Sequence, residues 1–210
     1  MFVKNYMTRM PVTISKKMTV FDALAIMKKH KIRQLPVVSG EKLEGLVTEK
    51  DLLTVSPSPA TSLSIFELNE LLAKMTVAEI MVKSPITVQP NTTLEEAALL
   101  MREHKIGSVP VLEKDKLVGI ITVTDIFDAL IRFFGYGKAG TRLLLEAQDR
   151  VGLLADITQV VKDFGLLIKA SIVVYKDNEN VEIMLRLGTI DPGPLVAALQ
   201  EKGYKVTFEG

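Results

Sequence analysis

Apolar residues with the i, i+3, i+4, i+7 spacing of a one-sided helix occur in two separate segments of the chain. The positions are Val20, Ala23, Leu24 and Met27 in the first segment, and Leu94, Ala97, Ala98 and Met101 in the second. A short extended piece precedes each helix, at 12–14 and at 86–88. Two short apolar runs separated by polar turn residues follow each helix and predict a hairpin, at 35–38 and 43–47 and again at 109–112 and 117–121.

These two patterns are copies of one repeat. Residues 7–53 align with residues 81–127 at a constant offset of 74, without a gap and with 16 identities in 47 positions. A second helix is predicted to start near Thr48 and Thr122, so each copy reads β-α-β-β-α. One copy is too small to bury both of its helices well, whereas two copies packed together cover each other's apolar faces.

A turn-rich segment separates the copies. Serine and proline dominate 56–62, and the helical stretch 65–74 follows, with Ser64 and Glu67 at the spacing of a capping box. We predict an ordered insertion here. The predicted domain borders are 1–55 for the first repeat, 56–78 for the turn and inserted helix, and 79–134 for the second repeat.

A different module follows the repeats. The glycine-rich run 135–140 predicts a linker, and 141–210 forms the module itself. Its predicted strands are 142–147, 167–175, 181–187 and 204–208, and its predicted helices are 152–164 and 194–202. The order βαββαβ is that of a ferredoxin-like domain. The fold class of the whole chain is therefore α/β of the α+β kind, with a pair of repeats and a C-terminal ferredoxin-like module.

Composition excludes several kinds of function. The chain of 210 residues has 26 lysines and arginines against 25 aspartates and glutamates, a net charge of +1, which argues against a nucleic-acid partner. It has no cysteine and only two histidines, so thiolate and histidine-rich metal sites are excluded. No apolar run approaches the roughly 20 residues of a membrane span, and we expect a cytoplasmic protein without a membrane partner. No nucleophile-elbow, phosphate-loop or metalloprotease motif occurs, so we predict no catalytic residues, no metal and no enzyme.

The segment with the clearest candidate chemistry joins the last strand of each repeat to a helix. It reads Gly45-Leu46-Val47-Thr48-Glu49-Lys50-Asp51 and recurs as Gly119-Ile120-Ile121-Thr122-Val123-Thr124-Asp125. Thr-x-x-Asp is a helix-capping pattern, and capping alone would account for it. Alternatively, free amide groups at the helix start and the threonine hydroxyl would bind a phosphate, while the carboxylate accepts hydrogen bonds from ribose hydroxyls. The residues themselves leave both interpretations open.

The repeat resembles a tandem pair of CBS domains, a family with this β-α-β-β-α unit and with a Gly-x-x-[Ser/Thr]-x-x-Asp segment after its last strand. The resemblance implies two clefts that bind adenine nucleotides (ATP, ADP or AMP) or adenosyl ligands such as S-adenosylmethionine, with no further cofactor required. One implied cleft has Thr13, Ile32, Arg33 and Gln34 near the base, Thr122 at the phosphate and Asp125 at the ribose. The other has Thr87, Ile106, Gly107 and Ser108 near the base, Thr48 at the phosphate and Asp51 at the ribose.

Arg33 distinguishes the two implied clefts, because it aligns with Gly107. Only the cleft with Thr48 and Asp51 would gain a guanidinium close to the phosphates, where a bidentate contact is available. We therefore predict unequal sites. The alternative is that Arg33 is a solvated cation near a helix end.

Two other features are weaker candidates. His30 and His104 occupy equivalent positions among charged residues, where complementing a helix dipole is the more common role of histidine. In the C-terminal module, the segment Asp149–Leu154 resembles the strand-to-helix turn of ACT domains, which implies an amino-acid ligand near Asp149 and Gly152. Leu167 stands where such domains have a polar residue, and this favours an interaction module instead.

The combination of two CBS units, an inserted helix and an ACT module resembles the acetoin-utilisation AcuB family. It implies a non-catalytic sensor of adenine nucleotides that acts on a metabolic partner in acetoin or acetate utilisation, and a homodimer. The alternative is a ligand-free oligomerisation scaffold in which both Thr-x-x-Asp segments are only helix caps.

Overall fold

The computed structural model describes residues 1–54, 74–137, 139–177 and 179–209. These residues form two compact units, Met1–Phe127 and Asp128–Gly210. The predicted turn at 56–62 and the capping box of Ser64 and Glu67 lie outside the described residues. The domain borders proposed from the sequence remain predictions.

Each repeat in the first unit contains the predicted helix, hairpin and second helix. The elements of repeat 1 are β1 (Thr8–Arg9), α1 (Val20–His30), β2 (Gln34–Ser39), β3 (Lys42–Thr48) and α2 (Glu49–Thr54). Those of repeat 2 are β4 (Val82–Lys83), α3 (Leu94–His104), β5 (Ser108–Glu113), β6 (Lys116–Thr122) and α4 (Val123–Phe133). The extended pieces predicted at 12–14 and 86–88 are not strands: each makes one isolated bridge, Ile14 with Val37 and Val88 with Val111.

Helices α1 and α3 begin after the threonines that their sequences predict. The hydroxyl oxygens of Thr19 and Thr93 accept hydrogen bonds from the amides of Asp22 and Glu96, each at 3.1 Å. The apolar stripe of each helix is buried, with Val20, Ala23 and Met27 in α1 and Leu94, Ala97 and Met101 in α3. The periodicity of the sequence therefore identified the face that packs into the core.

The leading segment of each repeat pairs with the other repeat. Strand β1 pairs with β6 of repeat 2, and β4 pairs with β3 of repeat 1, which completes a six-stranded sheet. The buried side chain of Val77 packs in a core cluster whose other buried members all lie between Ile14 and Leu52. The repeats are thus held together by a reciprocal exchange of leading segments, in which each repeat adds a short strand to the other, as well as by packing.

The second unit contains β7 (Thr141–Gln148), α5 (Leu153–Asp163), β8 (Ile168–Tyr175), β9 (Asn180–Leu187), α6 (Gly193–Glu201) and β10 (Lys205–Glu209). This is the predicted βαββαβ order, and the strands form an antiparallel sheet in the order β10-β7-β9-β8. Alternate residues of β7 and β9, including Leu143, Leu145, Ile183 and Leu185, pack with α5 and α6 in one core. The strands β10 and β8 form the two edges of the sheet.

Among the described residues, no helix has both the length and the apolar character needed to cross a bilayer.

Candidate functional site

A cavity of about 880 Å³ lies in the first unit and is lined by both repeats. Each repeat contributes the start of its first hairpin strand and the junction where its second hairpin strand becomes a helix. These pieces are 33–34 and 48–51 from repeat 1, and 105–108 and 122–124 from repeat 2. A volume of this size falls within the range of roughly 300–1,000 Å³ found for small-molecule sites.

Thr48 and Asp51 form a closed pair at the start of α2. Oδ2 of Asp51 accepts hydrogen bonds from the amide of Thr48 at 2.9 Å and from its hydroxyl at 2.7 Å. The Thr48 hydroxyl oxygen accepts in turn from the amide of Asp51 at 3.3 Å. The capping interpretation is therefore confirmed for this pair. Oδ1 of Asp51 has no hydrogen bond to any residue that the structure describes, so capping occupies only one of the two carboxylate oxygens.

Thr122 and Asp125 repeat the same geometry at the start of α4. The two hydrogen bonds to Oδ2 of Asp125 are 2.7 and 2.8 Å long, and the amide of Asp125 donates to the Thr122 hydroxyl at 3.3 Å. Thr122 lines the cavity, but Asp125 does not, whereas Thr48 and Asp51 both do. The two motifs are thus equal as helix caps and unequal in their access to the cavity.

The helix starts offer fewer free amide groups than we expected from the sequence. The amide of Glu49 donates to the carbonyl of Arg33 at 2.9 Å, and the amide of Val123 donates to the carbonyl of Gly107 at 3.0 Å. The amides of Asp51 and Asp125 are used in the caps. Side chains, rather than a row of free amides, are therefore the main groups available to an anion here.

Residues assigned to two separate clefts line this one cavity. Of the first implied cleft, Arg33, Gln34 and Thr122 line it; of the second, Thr48, Asp51, Ile106, Gly107 and Ser108 line it. Four residues predicted from the resemblance do not line it, namely Thr13, Ile32, Thr87 and Asp125. Thr13 and Thr87 are exposed beside the isolated bridges, and Ile32 packs against the core of repeat 1. Whether any of these residues contacts a ligand remains a prediction.

The cavity wall carries more positive than negative charge. Arg33, Lys50 and Lys105 line it together with Glu49 and Asp51. The equivalents of Arg33 and Lys50 in repeat 2 are Gly107 and Thr124, which carry no charge. Repeat 1 thus contributes two cations and two carboxylates, and the excess cation is Lys105 of repeat 2. Arg33 is exposed, and the described residues offer it no ion pair.

Two polar side chains at equivalent positions also face the cavity. Gln34 is half-buried, and Ser108 is 2% exposed. Neither side chain has a hydrogen-bond partner among the residues that the structure describes, so both can bond to a ligand. Their amide and hydroxyl groups supply donors and acceptors of the kind that the edge of a nucleobase requires.

Several lining residues were not predicted. Lys50 lies inside the Thr-x-x-Asp segment, and Lys105 and Ile86 are direct neighbours of Ile106 and Thr87, so proximity to the motifs was a usable signal. Phe127 also lines the cavity, and its position on α4 carries no local sequence signal.

The remaining candidates lie elsewhere. His30 and His104 are exposed at the last residue of α1 and α3. In the second unit, the Asp149 amide donates to the carbonyl of Glu179 at 2.7 Å, and Gly152 precedes α5 with φ of +85°. Among the described residues, no three His, Asp or Glu side chains are grouped so that they could hold a metal ion.

The sequence profile of the CBS domain matches the chain twice, over residues 3–58 and 77–132. A CBS domain-containing protein of Dictyostelium discoideum is 34% identical over 132 residues, which cover 62% of this chain and 91% of that protein. An inosine-5'-monophosphate dehydrogenase of Korarchaeum cryptofilum is 35% identical over 125 residues, which cover 59% of this chain and 23% of the enzyme. The similarity to the dehydrogenase therefore concerns a minor part of that enzyme.

Three solved structures are similar to this chain, each over 62% of its length. A Vibrio cholerae protein named as an acetoin utilization protein, AcuB, has a TM-score of 0.53 at 36% identity, with 90% of its chain covered. CBSX2 of Arabidopsis thaliana in complex with AMP has a TM-score of 0.52 at 31% identity, with 96% covered. The CBS domain pair of protein MJ0100, in complex with 5'-methylthioadenosine and S-adenosyl-L-methionine, has a TM-score of 0.51 at 27% identity, with 95% covered.

Proposed function

Because this chain belongs to the CBS domain family, we propose that it is a non-catalytic regulatory protein whose paired repeats bind an adenine nucleotide or adenosyl ligand. The observation that carries the proposal is the cavity lined by Thr48, Asp51 and Arg33 of one repeat and by Ile106 and Ser108 of the other. Two similar proteins were crystallised with AMP and with S-adenosyl-L-methionine.

The chemistry of the cavity wall supports a defined placement of the ligand. Ile86 and Ile106 give the base an apolar contact, and Ser108 offers its edge a hydrogen bond. Asp51 accepts from a ribose hydroxyl through Oδ1, the oxygen that the helix cap leaves open. Arg33 and Lys50 line the same cavity and bind phosphate, for which the planar guanidinium fork is well suited.

The excess of cations supports a phosphorylated nucleotide over a ligand that carries a positive sulfonium. Three cationic side chains and two carboxylates line the cavity. A ligand with several negative charges gains from this balance, and a sulfonium does not. ATP, ADP and AMP are therefore the first ligands to test, with S-adenosylmethionine as the comparison.

Helix α4 supports a route by which binding is transmitted. Val123 and Phe127 line the cavity, and the helix continues to Phe133. A ligand that contacts the first turns of α4 stabilises the position of α4 in which those contacts are best. If α4 has a different position without ligand, binding shifts the equilibrium between the two positions, and this shift is the regulatory effect.

We propose that an ACT-like C-terminal module relays the change to a metabolic enzyme. The similarity to the Vibrio protein is what supports acetoin or acetate utilisation as the setting.

Nucleotide binding should raise the melting temperature of the full chain. At a free ligand concentration of about 100 times Kd, binding stabilises the folded state by about 2.7 kcal/mol. For a chain of this size, that is a shift of roughly 5–10 °C, which differential scanning fluorimetry resolves. If ATP, ADP, AMP and S-adenosylmethionine at millimolar concentrations all leave the melting curve unchanged, the ligand-free scaffold becomes the better description.

Asp125, the equivalent of Asp51 in repeat 2, provides a matched control for the role of the Asp51 carboxylate. Asp51→Asn should weaken AMP binding about tenfold or more, because a hydrogen bond to a charged group contributes about 1.5–3 kcal/mol. Asp125→Asn perturbs a helix cap of the same geometry at a residue that does not line this cavity. It should therefore reproduce the stability change and leave AMP binding in this cavity unchanged. Equal losses of affinity from both variants, measured by isothermal titration calorimetry, would refute the placement of the ribose.

Arg33→Gln separates phosphate recognition from recognition of the nucleoside. We expect it to weaken AMP binding about tenfold and to leave adenosine binding unchanged. Arg102→Gln, an exposed arginine of α3 that does not line the cavity, serves as the control for the loss of one positive charge.

The scaffold alternative rests on a separate observation, which also supports a homodimer. Strand β8 is an edge of the second sheet, and none of its residues is buried. Val173, Val174 and Tyr175 are exposed, although such residues are usually covered in a strand. Antiparallel pairing of two β8 strands about Ile172 covers these side chains and sets no lysine opposite another.

Val174→Lys should therefore convert the homodimer into a monomer, because a lysine on an edge strand opposes pairing with a second strand. Ile190→Lys is the control, since Ile190 is 90% exposed in the same unit and lies outside the sheet. Light scattering of both variants and of the original chain measures the outcome. A dimer that survives Val174→Lys is not built on β8, and a monomeric original chain would refute the homodimer.

A further inference from the structure

Two lysines occupy backbone positions where glycine is the usual residue. Lys31 and Lys105 directly follow α1 and α3, with φ of 54° and 53°. Their amides donate to carbonyls of the last helical turn. Helices commonly end on a left-handed glycine, because a β-carbon in that conformation crowds the backbone. A lysine therefore strains the backbone at both positions, and the helix ends alone do not explain why it is there.

The helix dipoles do not require these lysines. A positive charge near the carboxyl end of a helix is stabilising. The last turn of α1 already contains Lys28, Lys29 and His30, and that of α3 contains Arg102 and His104. These residues complement the dipole from ordinary helical positions. The left-handed lysines thus need another explanation.

The cavity of the first unit distinguishes the two lysines. Lys105 lines it, and Lys31 does not. Ser84, which also has a positive φ of 53°, lines the cavity as well. Strained residues of this kind cluster at ligand sites. The Lys105 side chain is exposed and has no ion pair with any residue that the structure describes, so its ammonium group is available to a ligand.

Lys105 also determines the net charge of the cavity wall. Repeat 1 contributes two cations and two carboxylates, whose charges sum to zero. Among the described residues of repeat 2 that line the cavity, Lys105 is the only charged one. Without Lys105 the wall would have no net charge, and its attraction for an anionic ligand would be weaker.

Given the proposed function, on which this step rests, we propose that Lys105 is a phosphate-binding residue and increases the preference of the cavity for phosphorylated nucleotides over the nucleoside. Its ammonium group donates to a phosphate oxygen from repeat 2, while Arg33 and Lys50 bind the phosphate from repeat 1. The ligand is then held by both repeats, so its binding also stabilises their packing against each other.

Lys105→Gly removes the ammonium group and relieves the backbone strain in one step. We expect AMP binding to weaken about tenfold, because a hydrogen bond between charged groups is lost, and adenosine binding to change by less than about twofold. The melting temperature without ligand should stay equal or rise, since glycine suits the left-handed backbone. Isothermal titration calorimetry and differential scanning fluorimetry of the full chain measure these quantities. Lys105→Gln retains the β-carbon and should lose AMP affinity to the same extent, which separates the loss of charge from the change of backbone.

Lys31→Gly is the matched control, because position 31 has the same backbone conformation and does not line the cavity. It should reproduce the change in melting temperature and leave AMP binding in this cavity unchanged. The role of Lys105 is refuted if Lys105→Gly binds AMP as tightly as the original chain, if AMP and adenosine lose affinity equally, or if Lys31→Gly loses as much. An original chain that binds neither AMP nor adenosine would instead contradict the proposed function, and the role of Lys105 with it.

Discussion

Gly45→Ala should destabilise the chain by about 1–3 kcal/mol, the usual cost of forcing an extra carbon into a well-packed site. Within a strand, alanine is normally the more stable residue of the two, by roughly 0.5–1 kcal/mol. At position 45, however, a β-carbon would lie 2.8 Å from the carbonyl oxygen of Val82 and 2.7 Å from Sδ of Met81. The methionine side chain can move away, but the carbonyl belongs to the paired strand β4, which would have to shift.

Two other glycines serve as comparisons for this prediction. Gly119 is the equivalent of Gly45 in repeat 2, and a β-carbon there would lie 3.0 Å from the carbonyl oxygen of Thr8. Gly119→Ala should therefore be destabilising for the same reason. At Gly107, the nearest atom would be Nε2 of Gln34 at 3.6 Å, an ordinary contact, and Gly107→Ala should be close to neutral. Equilibrium unfolding in urea measures all three. If Gly45→Ala is as stable as Gly107→Ala, the close approach of β4 does not constrain position 45.

The glycine prediction also shows how far the motif could be interpreted from the sequence. The repetition of Gly45 and Gly119 was visible, and so were the helix caps at Thr48 and Thr122 that follow them. The reason for the glycines was not visible, because it lies in strands of two residues contributed by the other repeat. Such short strands have no periodicity that a sequence can display.

Local features were predicted well because their causes are local. Threonine caps, the buried stripes of α1 and α3, and the hairpins depend on residues within one turn or one hairpin. The βαββαβ order of the second unit followed from the same kind of pattern. The partner of each leading segment could not be predicted, because two similar copies offer nearly the same surface, and choosing between them depends on tertiary packing.

The residues that line the cavity could be predicted only in part. The resemblance to paired CBS domains implied two clefts, and the second cleft stays a prediction. The cavity of about 880 Å³ is lined by Asp51 and not by Asp125, although both carboxylates cap their helices with the same geometry. Access to a cavity depends on side chains from distant parts of the chain, such as Phe127, and no spacing rule within the motif contains that information.

Val3→Asp should have the largest effect on stability, a loss of about 3–5 kcal/mol, because it places a carboxylate at a fully buried position. Val3 is fully buried, and its amide donates to the carbonyl of Thr92 at 2.9 Å. The backbone amide of the next residue, Lys4, donates to the carbonyl of Pro90 at the same distance. Position 3 is near the start of the chain, but the substitution should destabilise repeat 2, because this segment packs on that repeat. Thermal and chemical unfolding measure the loss.

Amide hydrogen exchange of the milder variant Val3→Ala shows which repeat loses stability. The amide of Leu94 donates to the carbonyl of Met1 at 2.9 Å, so exchange should accelerate at the start of α3 and not at α1. Val77→Ala is the reciprocal variant: the amide of Val20 donates to the carbonyl of Met75 at 3.0 Å, and α1 should lose protection instead. Met10→Asp, at a side chain that is 90% exposed, should change neither pattern. If Val3→Ala accelerated exchange in α1 rather than α3, each leading segment would stabilise its own repeat, and the reciprocal exchange would not be what holds the pair together.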